Sequence, residues 1–297
     1  MTSPMPATPQ PRDIRRVGIV GCGVMGTGIA ETCASSGVDV LVAVSSRTSM
    51  AAARQRLTDS LDRRVRRGKL SAEARESMVQ AISFTTSLGD LADRELIMES
   101  VPEDEYTKRK LFQALDEIVE DPDVILASNT SSIPIVTLGR ATSRAGNVVG
   151  THFFNPAPVQ PLVELVDSLL TDQATSRRVE RFLTDTLGKR VIRSADRAGF
   201  VVNALLIPYL LDAVRMVESG FATAADIDKG MTLGCAHPIG PLALVDLIGL
   251  DTVAAIAGTL HREFRDQRYA TPPLLARMAE AGLLGKKTGE GFHHYPR

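Results

Sequence analysis

The sequence predicts an α/β fold, with a doubly wound, mostly parallel sheet followed by an all-helical C-terminal domain. Three observations carry that expectation. Short, β-branched apolar runs alternate with helix-spaced charged stretches up to about residue 195, as expected where strands are buried on both faces and joined by crossover helices. A G-x-G-x-x-G turn (Gly21, Gly23, Gly26) closes the first of these runs and opens the first helix-like stretch. Beyond about Asp196 the strand punctuation stops, and long helical periodicity takes over.

Taken in order, the strand candidates are RRVGIV, VDVLVAV, LIMES, DVILASN and NVVGTHFF, then PLVELV and RVIR. Stretches such as VMGTGIAETCASSG and EDEYTKRKLFQALDEIVED supply the helices between them. In the second half, GFVVNALLIPYLLDAVRMVESG, TAADIDKGMTLG, PLALVDLIGLDTVAAIAGTLHREF and TPPLLARMAEAG read as helical. The expected domains are a Rossmann-type dinucleotide-binding domain over 13–195 and a helical substrate and dimerisation domain over 196–297. The Pro-, Ser- and Thr-rich residues 1–12 are expected to form a flexible tail.

Composition narrows the function classes. Hydrophobic residues make up 44% and charged residues 23% of the 297 positions, with a formal net charge of −1. No global field therefore favours nucleic acid or an anionic membrane. No apolar run reaches the roughly 18–20 residues that span a bilayer. Cys22, Cys33 and Cys235 form neither a CxxC pair nor a zinc-ligand spacing, so no metal is expected. Unpaired thiols fit a reducing compartment, and a soluble, cytoplasmic protein is expected. The Leu-, Ile-, Val- and Met-rich helical half suggests a homodimer built through the C-terminal helices, although a packed core explains the same residues.

The glycine turn assigns a dinucleotide. Gly21 permits the tight turn, Gly23 lets the backbone approach a pyrophosphate, and Gly26 allows close helix–strand packing. Val24 and Met25 begin the helix whose free N–H groups and positive dipole end face the phosphates. An acidic residue is expected about 20 residues on when the ribose 2′-hydroxyl is gripped. Here Val44 stands in that region, followed by Ser45, Ser46 and Arg47. With no carboxylate to repel a 2′-phosphate, and with an arginine to pair with it, NADP(H) is expected over NAD(H). An Arg47 that is merely solvated is the alternative.

Ligands in open parallel sheets bind beyond the carboxyl ends of the strands. Asn129 to Ser132 and His152 to Pro156 sit at two such ends, and Glu164 lies inside the apolar run LVELV. Removing a hydride from an alcohol also requires a base for the hydroxyl proton, and histidine is the usual choice. A carboxylate in an apolar strand must find a partner. Glu164 would orient the His152 ring and stabilise the imidazolium, while Ser131 would hold the substrate oxygen. Taken singly, each has a plainer explanation: a structural histidine, a helix cap at Ser131, a strand-edge charge at Glu164.

The motifs GCGVMGTGIA, ASNTSS, THFFNPAPVQPLVELV, DRAGFVVNALLIPYLLDA, HPIGPLALVDLIGLD and GKKTGEGFHHY, in this order from about Arg15 to Tyr295, resemble those of the L-3-hydroxyacyl-CoA dehydrogenases, above all the short bacterial 3-hydroxybutyryl-CoA type. The resemblance implies His152 as base, Glu164 as its orienting carboxylate, and Ser131 and Asn203 beside the substrate's 3-oxygen. Asn155 matches a further polar residue of the site, Glu103 and Lys108 match positions near the nicotinamide ribose, and Ser60 and Arg67 match coenzyme A contacts. An ordinary helix-surface pair is the alternative for Glu103 and Lys108. Seven basic residues (Arg54, Arg56, Arg63, Arg64, Arg66, Arg67, Lys69) suit a phosphate-rich coenzyme, with Leu57, Leu61 and Val65 on the buried side. Without the resemblance, that stretch reads as a solvated basic face.

Val44 departs from the family's usual acidic residue and puts NAD specificity in doubt. The implied partner is a small-molecule acyl-CoA, with an acyl carrier protein thioester also open. Two rivals remain: a hydroxy-acid or sugar-acid dehydrogenase of the same fold, and a non-catalytic dinucleotide-binding protein. A hydroxy-acid enzyme that uses a helix lysine is disfavoured by Asn203 in the corresponding helix.

Overall fold

A computed structural model describes residues 13–296. The expected tail at 1–12 lies outside the described residues. The chain divides after Asp196 into a sheet-containing unit and a helical unit.

The first unit is built on eight strands: β1 (Arg16–Val20), β2 (Asp39–Ala43), β3 (Ile82–Thr85), β4 (Leu96–Glu99), β5 (Ile125–Ser128), β6 (Val148–Phe153), β7 (Leu162–Asp167) and β8 (Arg190–Ala195). Their spatial order is β3-β2-β1-β4-β5-β6-β7-β8. All neighbours are parallel except β6 and β7. The helices α1 (Val24–Ser35), α2 (Arg47–Arg66), α3 (Ala72–Ala81), α4 (Glu105–Ile118), α5 (Ile135–Gly139) and α6 (Gln173–Arg181) supply the connections. Leu96, Ile97 and Met98 of β4, and Ile125, Leu126 and Ala127 of β5, are all buried, so the central strands carry apolar side chains on successive positions. That is the pattern of a sheet covered on both faces.

The sequence expectation names seven strands and omits β3. Its four residues, Ile-Ser-Phe-Thr, follow α3 with no glycine or proline to mark the boundary. Pairing with β2 makes the strand, through a parallel register of Val40 with Ile82 and Ala43 with Thr85. Local sequence carries little of that tertiary term.

The second unit consists of α7 (Val202–Glu218), α8 (Ala224–Gly234), α9 (Pro241–Ile248), α10 (Leu250–Phe264) and α11 (Pro273–Glu280). Leu210, Leu211, Val214, Leu242, Val245, Leu250, Val253 and Leu260 form its own core. The continuous stretch expected over PLALVDLIGLDTVAAIAGTLHREF is two helices, bent by 96°. Gly249 makes the break with φ of +102°, a conformation that costs glycine little and other residues much. Among the described residues, no single helix is long and apolar enough to cross a membrane.

Candidate active site

The parallel strands β1, β4 and β5 end side by side: Val20 pairs with Glu99, and Glu99 with Ser128. The turns that leave these ends line a chamber of about 900 Å³. That is the size of a cofactor-binding cleft. Gly21, Gly23, Val24, Met25 and Ser45 contribute to its wall, as do Glu103, Lys108 and Ser131.

The three glycines of the turn divide the work. Gly21 has φ of +92°, and a Cβ there would lie 2.6 Å from the Ser100 carbonyl oxygen. A Cβ on Gly26 would lie 2.0 Å from the Gly21 carbonyl oxygen, so only glycine lets α1 approach β1. Gly26 is thus a packing residue behind the wall. Gly23, at the N-cap of α1, has nothing within 4 Å of where its Cβ would stand. The cradle it leaves open faces the first N–H groups of the helix, as a pyrophosphate requires. These residues fit a dinucleotide.

At the carboxyl end of β2, which adjoins that of β1, Val44, Ser45 and Ser49 line the chamber. Ser46 caps α2 by accepting from the Ser49 N–H, and the Ser49 hydroxyl lies 3.3 Å from that of Ser45 and 2.9 Å from that of Ser46. The first turn of α2 holds no acidic residue. Arg47, expected as a cofactor contact, is the exposed first residue of α2 and is not part of the chamber wall. Arg56 is: its Nη1 donates to the Cys22 carbonyl at 2.5 Å.

Glu103 and Lys108 are not a surface pair. Lys108 is 1% exposed, with its Nζ 2.7 Å from Glu103 and 3.1 Å from Glu99. Glu103 Oε1 accepts from the Thr130 hydroxyl (2.5 Å), from the Ser131 and Ser132 N–H groups (3.0 and 3.2 Å) and from the Ser132 hydroxyl (3.0 Å). The Ser131 hydroxyl stands farther off, at 3.4 Å. Burial pushes the Glu103 carboxyl up, but the Lys108 ammonium and these hydrogen bonds outweigh it and leave the group below its ordinary value. Ser131 is not a helix cap, since the N-cap of α5 is Pro134.

His152 and Glu164 lie opposite each other in the antiparallel register of β6 and β7. Both are buried, and the His152 Nδ1–H donates to Glu164 Oε2 at 2.6 Å. The pair fixes the ring by a charge-assisted hydrogen bond and leaves Nε2 as the nitrogen that can exchange a proton with a substrate. Asn129, at the end of β5, accepts from the Phe153 N–H at 2.8 Å and ties the Ser131 turn to the strand carrying His152. Phe154 packs against the His152 ring at 4.7 Å between centroids.

A second cavity, of about 300 Å³, adjoins this region and shares Val24 and Arg56 with the first. It brings together Ser60 and Arg67 from the α2 segment and Asn155 from the β6–β7 loop. Of the seven basic residues, Arg56, Arg63, Arg64 and Arg67 line it. Arg54 instead stacks on Phe84, at 4.7 Å from the ring centroid. Leu57 and Leu61 are buried and Val65 half-buried. Asn203 is buried in the first turn of α7, in the helical unit.

Sequence reasoning missed three supports. Glu99, fully buried, accepts from the Ser128 hydroxyl and the Val101 N–H, each at 2.6 Å. Glu31, 1% exposed, lines the smaller cavity and pairs with Arg64 at 3.5 Å. Lys189 donates to the Ala157 and Gln160 carbonyls at 2.6 and 2.8 Å and clamps the loop that carries Asn155. Glu31 offered a signal, as a carboxylate within the apolar helix GIAETCA.

The chain matches the model of the 3-hydroxyacyl-CoA dehydrogenase NAD binding domain over residues 16–197 and that of the 3-hydroxyacyl-CoA dehydrogenase C-terminal domain over 199–295. It is 53% identical over 282 residues to the 3-hydroxybutyryl-CoA dehydrogenase of Mycobacterium tuberculosis, covering 95% of this chain and 99% of the relative. The crystal structure of M. tuberculosis FadB2 superposes with a TM-score of 0.94 at 53% identity, covering 96% of this chain and 100% of that one. The structure of (S)-3-hydroxybutyryl-CoA dehydrogenase PaaH1 from Ralstonia eutropha gives 0.89 at 42% identity, with the same coverage. With both parts of the chain matched, and the sheet, glycine turn and histidine–glutamate pair in place, the protein belongs to the 3-hydroxyacyl-CoA dehydrogenase family.

Proposed function

We propose that the protein interconverts a short-chain (S)-3-hydroxyacyl-CoA, of the 3-hydroxybutyryl type, and the corresponding 3-oxoacyl-CoA. The observation that carries this is the buried His152–Glu164 pair, 2.6 Å apart, on neighbouring strands of the same sheet as the glycine turn. A bound nicotinamide dinucleotide supplies the hydride acceptor in one direction and the donor in the other. In the oxidising direction, His152 Nε2 takes the proton of the 3-hydroxyl, and Glu164 stabilises the imidazolium that results. In the reducing direction, the imidazolium returns that proton to the 3-oxygen. Ser131 holds the 3-oxygen through its hydroxyl, and Asn155 contacts the thioester region. Asn203 is assigned to the substrate on the sequence resemblance. Ser60 and Arg67, with the neighbouring arginines, take the phosphates of coenzyme A.

NADP(H) is preferred over NAD(H). This reading is supported by Val44 where a carboxylate would grip the ribose, by the Ser45, Ser46 and Ser49 hydroxyls, and by Arg47 at the start of a helix with no acid in its first turn. The protein works as a homodimer joined through its helical unit, where Leu205, Phe221, Leu233 and Leu247 are exposed.

One assay tests the central reading: oxidation of NADPH and of NADH, separately, with acetoacetyl-CoA and with free acetoacetate. Turnover with the thioester, and a higher kcat/KM for NADPH, is the expected result. Turnover of the free acid alone refutes the substrate class, and a large NADH advantage refutes the cofactor preference.

A further inference from the structure

Glu99 is a buried carboxylate with no task in the reaction described above. It ends β4 behind the chamber, 0% exposed and not among the residues of its wall. Burying a carboxylate is expensive, and an apolar residue of similar size would be tolerated at least as well for stability alone. The cost is visible in its titration: burial pushes the Glu99 carboxyl above its ordinary value, and Lys108 and Ser128 offset this only in part.

What Glu99 holds is informative. Its Oε2 stands 3.1 Å from Lys108 Nζ and accepts from the Ser128 hydroxyl at 2.6 Å, while Oε1 accepts from the Val101 N–H. Lys108 has four rotatable bonds, and a single partner at Glu103 would leave its ammonium free to swing into the chamber. With Glu99 on the other side, the ammonium is fixed between two carboxylates. Glu103, fixed in turn, gathers the Thr130 hydroxyl and the Ser131 and Ser132 N–H and hydroxyl groups on one oxygen. The Ser131 hydroxyl is the loosest of these contacts, at 3.4 Å, and is the one able to exchange Glu103 for a substrate oxygen.

We propose that Glu99 is a positioning residue that acts through Lys108 and Glu103 to set the direction of the Ser131 hydroxyl. The proposal rests on the reading above that Ser131 holds the 3-oxygen.

A double-mutant cycle tests it, with Glu99→Gln, Ser131→Ala and the double variant compared for kcat on acetoacetyl-CoA at saturating ligands. Ser131→Ala is expected to lower kcat on the order of 100-fold, the scale of losing one donor to a developing oxyanion. Glu99→Gln is expected to lower it about tenfold, and the double variant to stay within about twofold of Ser131→Ala, because residues acting as one unit are not additive. Multiplication of the two losses, to about 1,000-fold, overturns the proposal while leaving the Ser131 reading intact. A Ser131→Ala enzyme with unchanged kcat overturns both. If Glu99→Gln does not fold, Ser128→Ala replaces it in the same cycle, with a loss of several-fold that must likewise vanish on the Ser131→Ala background.

Discussion

Glu164→Gln keeps the shape of the side chain opposite His152 and removes its charge. In the ground state the neutral imidazole still finds an oxygen acceptor for its Nδ1–H, so binding and folding change little. The difference arises as the ring gains a proton. At 2.6 Å and in full burial, the bond to the carboxylate is then one between ionised partners. Hydrogen bonds to charged groups contribute about 1.5–3 kcal/mol. At about 1.4 kcal/mol per factor of ten, kcat should fall roughly 10- to 150-fold. The assay is steady-state NADPH oxidation with acetoacetyl-CoA, beside a fluorescence titration of NADPH binding. A variant with unchanged cofactor affinity and wild-type kcat would refute the coupling between the two residues.

Val44→Asp places a carboxylate where β2 meets the chamber, and should move the ratio of kcat/KM for NADPH over NADH towards NADH by about tenfold or more, the scale of one repelled phosphate contact. An unchanged ratio counts against a 2′-phosphate at this end. Gly26→Ala should abolish dinucleotide binding or folding, since its Cβ would stand 2.0 Å from the Gly21 carbonyl oxygen; an intact binding isotherm contradicts this. Glu31 has its pKa raised by burial, which hydrogen bonding from Ser60 and the charge of Arg64 offset only in part. Its buried Oε1 has no partner. A raised carboxyl pKa means that the folded state holds the proton more tightly, so the stability it contributes is present in acid and lost as pH rises through the folded value. Glu31→Gln should therefore stabilise the protein at pH 7 by about 1 kcal/mol, because it keeps the shape and removes the buried charge. Thermal melts should show that gain shrinking as pH falls from the raised folded value to the ordinary carboxylate value, and changing no further below it. A gain independent of pH would point to packing instead of charge.

The His152–Glu164 pair is legible in outline. A glutamate inside Leu-Val-Glu-Leu-Val must be partnered, and a histidine at a strand end near a glycine turn was the available partner. The sheet order was less so. β3 exists because β2 offers it an edge, and four residues with two polar side chains give no local sign of that. The break at Gly249 shows the reverse limit, since helical periodicity on both sides masked a single glycine whose positive φ turns the chain by 96°.

The sequence alone determined the fold class and the dinucleotide turn and pointed to His152 as the proposed base, because each depends on residue type at short spacing: glycines around a turn, apolar runs of strand length, an imidazole at a strand end. Tertiary structure decided which charged groups work together. The antiparallel register set His152 against Glu164, although 12 residues separate them. The parallel alignment of β4 with β5 brought Glu99 to Ser128 and, through Lys108 and Glu103, to the Ser131 turn. The physical reason is reach: a hydrogen bond acts within about 3 Å. Which side chains come that close depends on how distant strands are laid side by side.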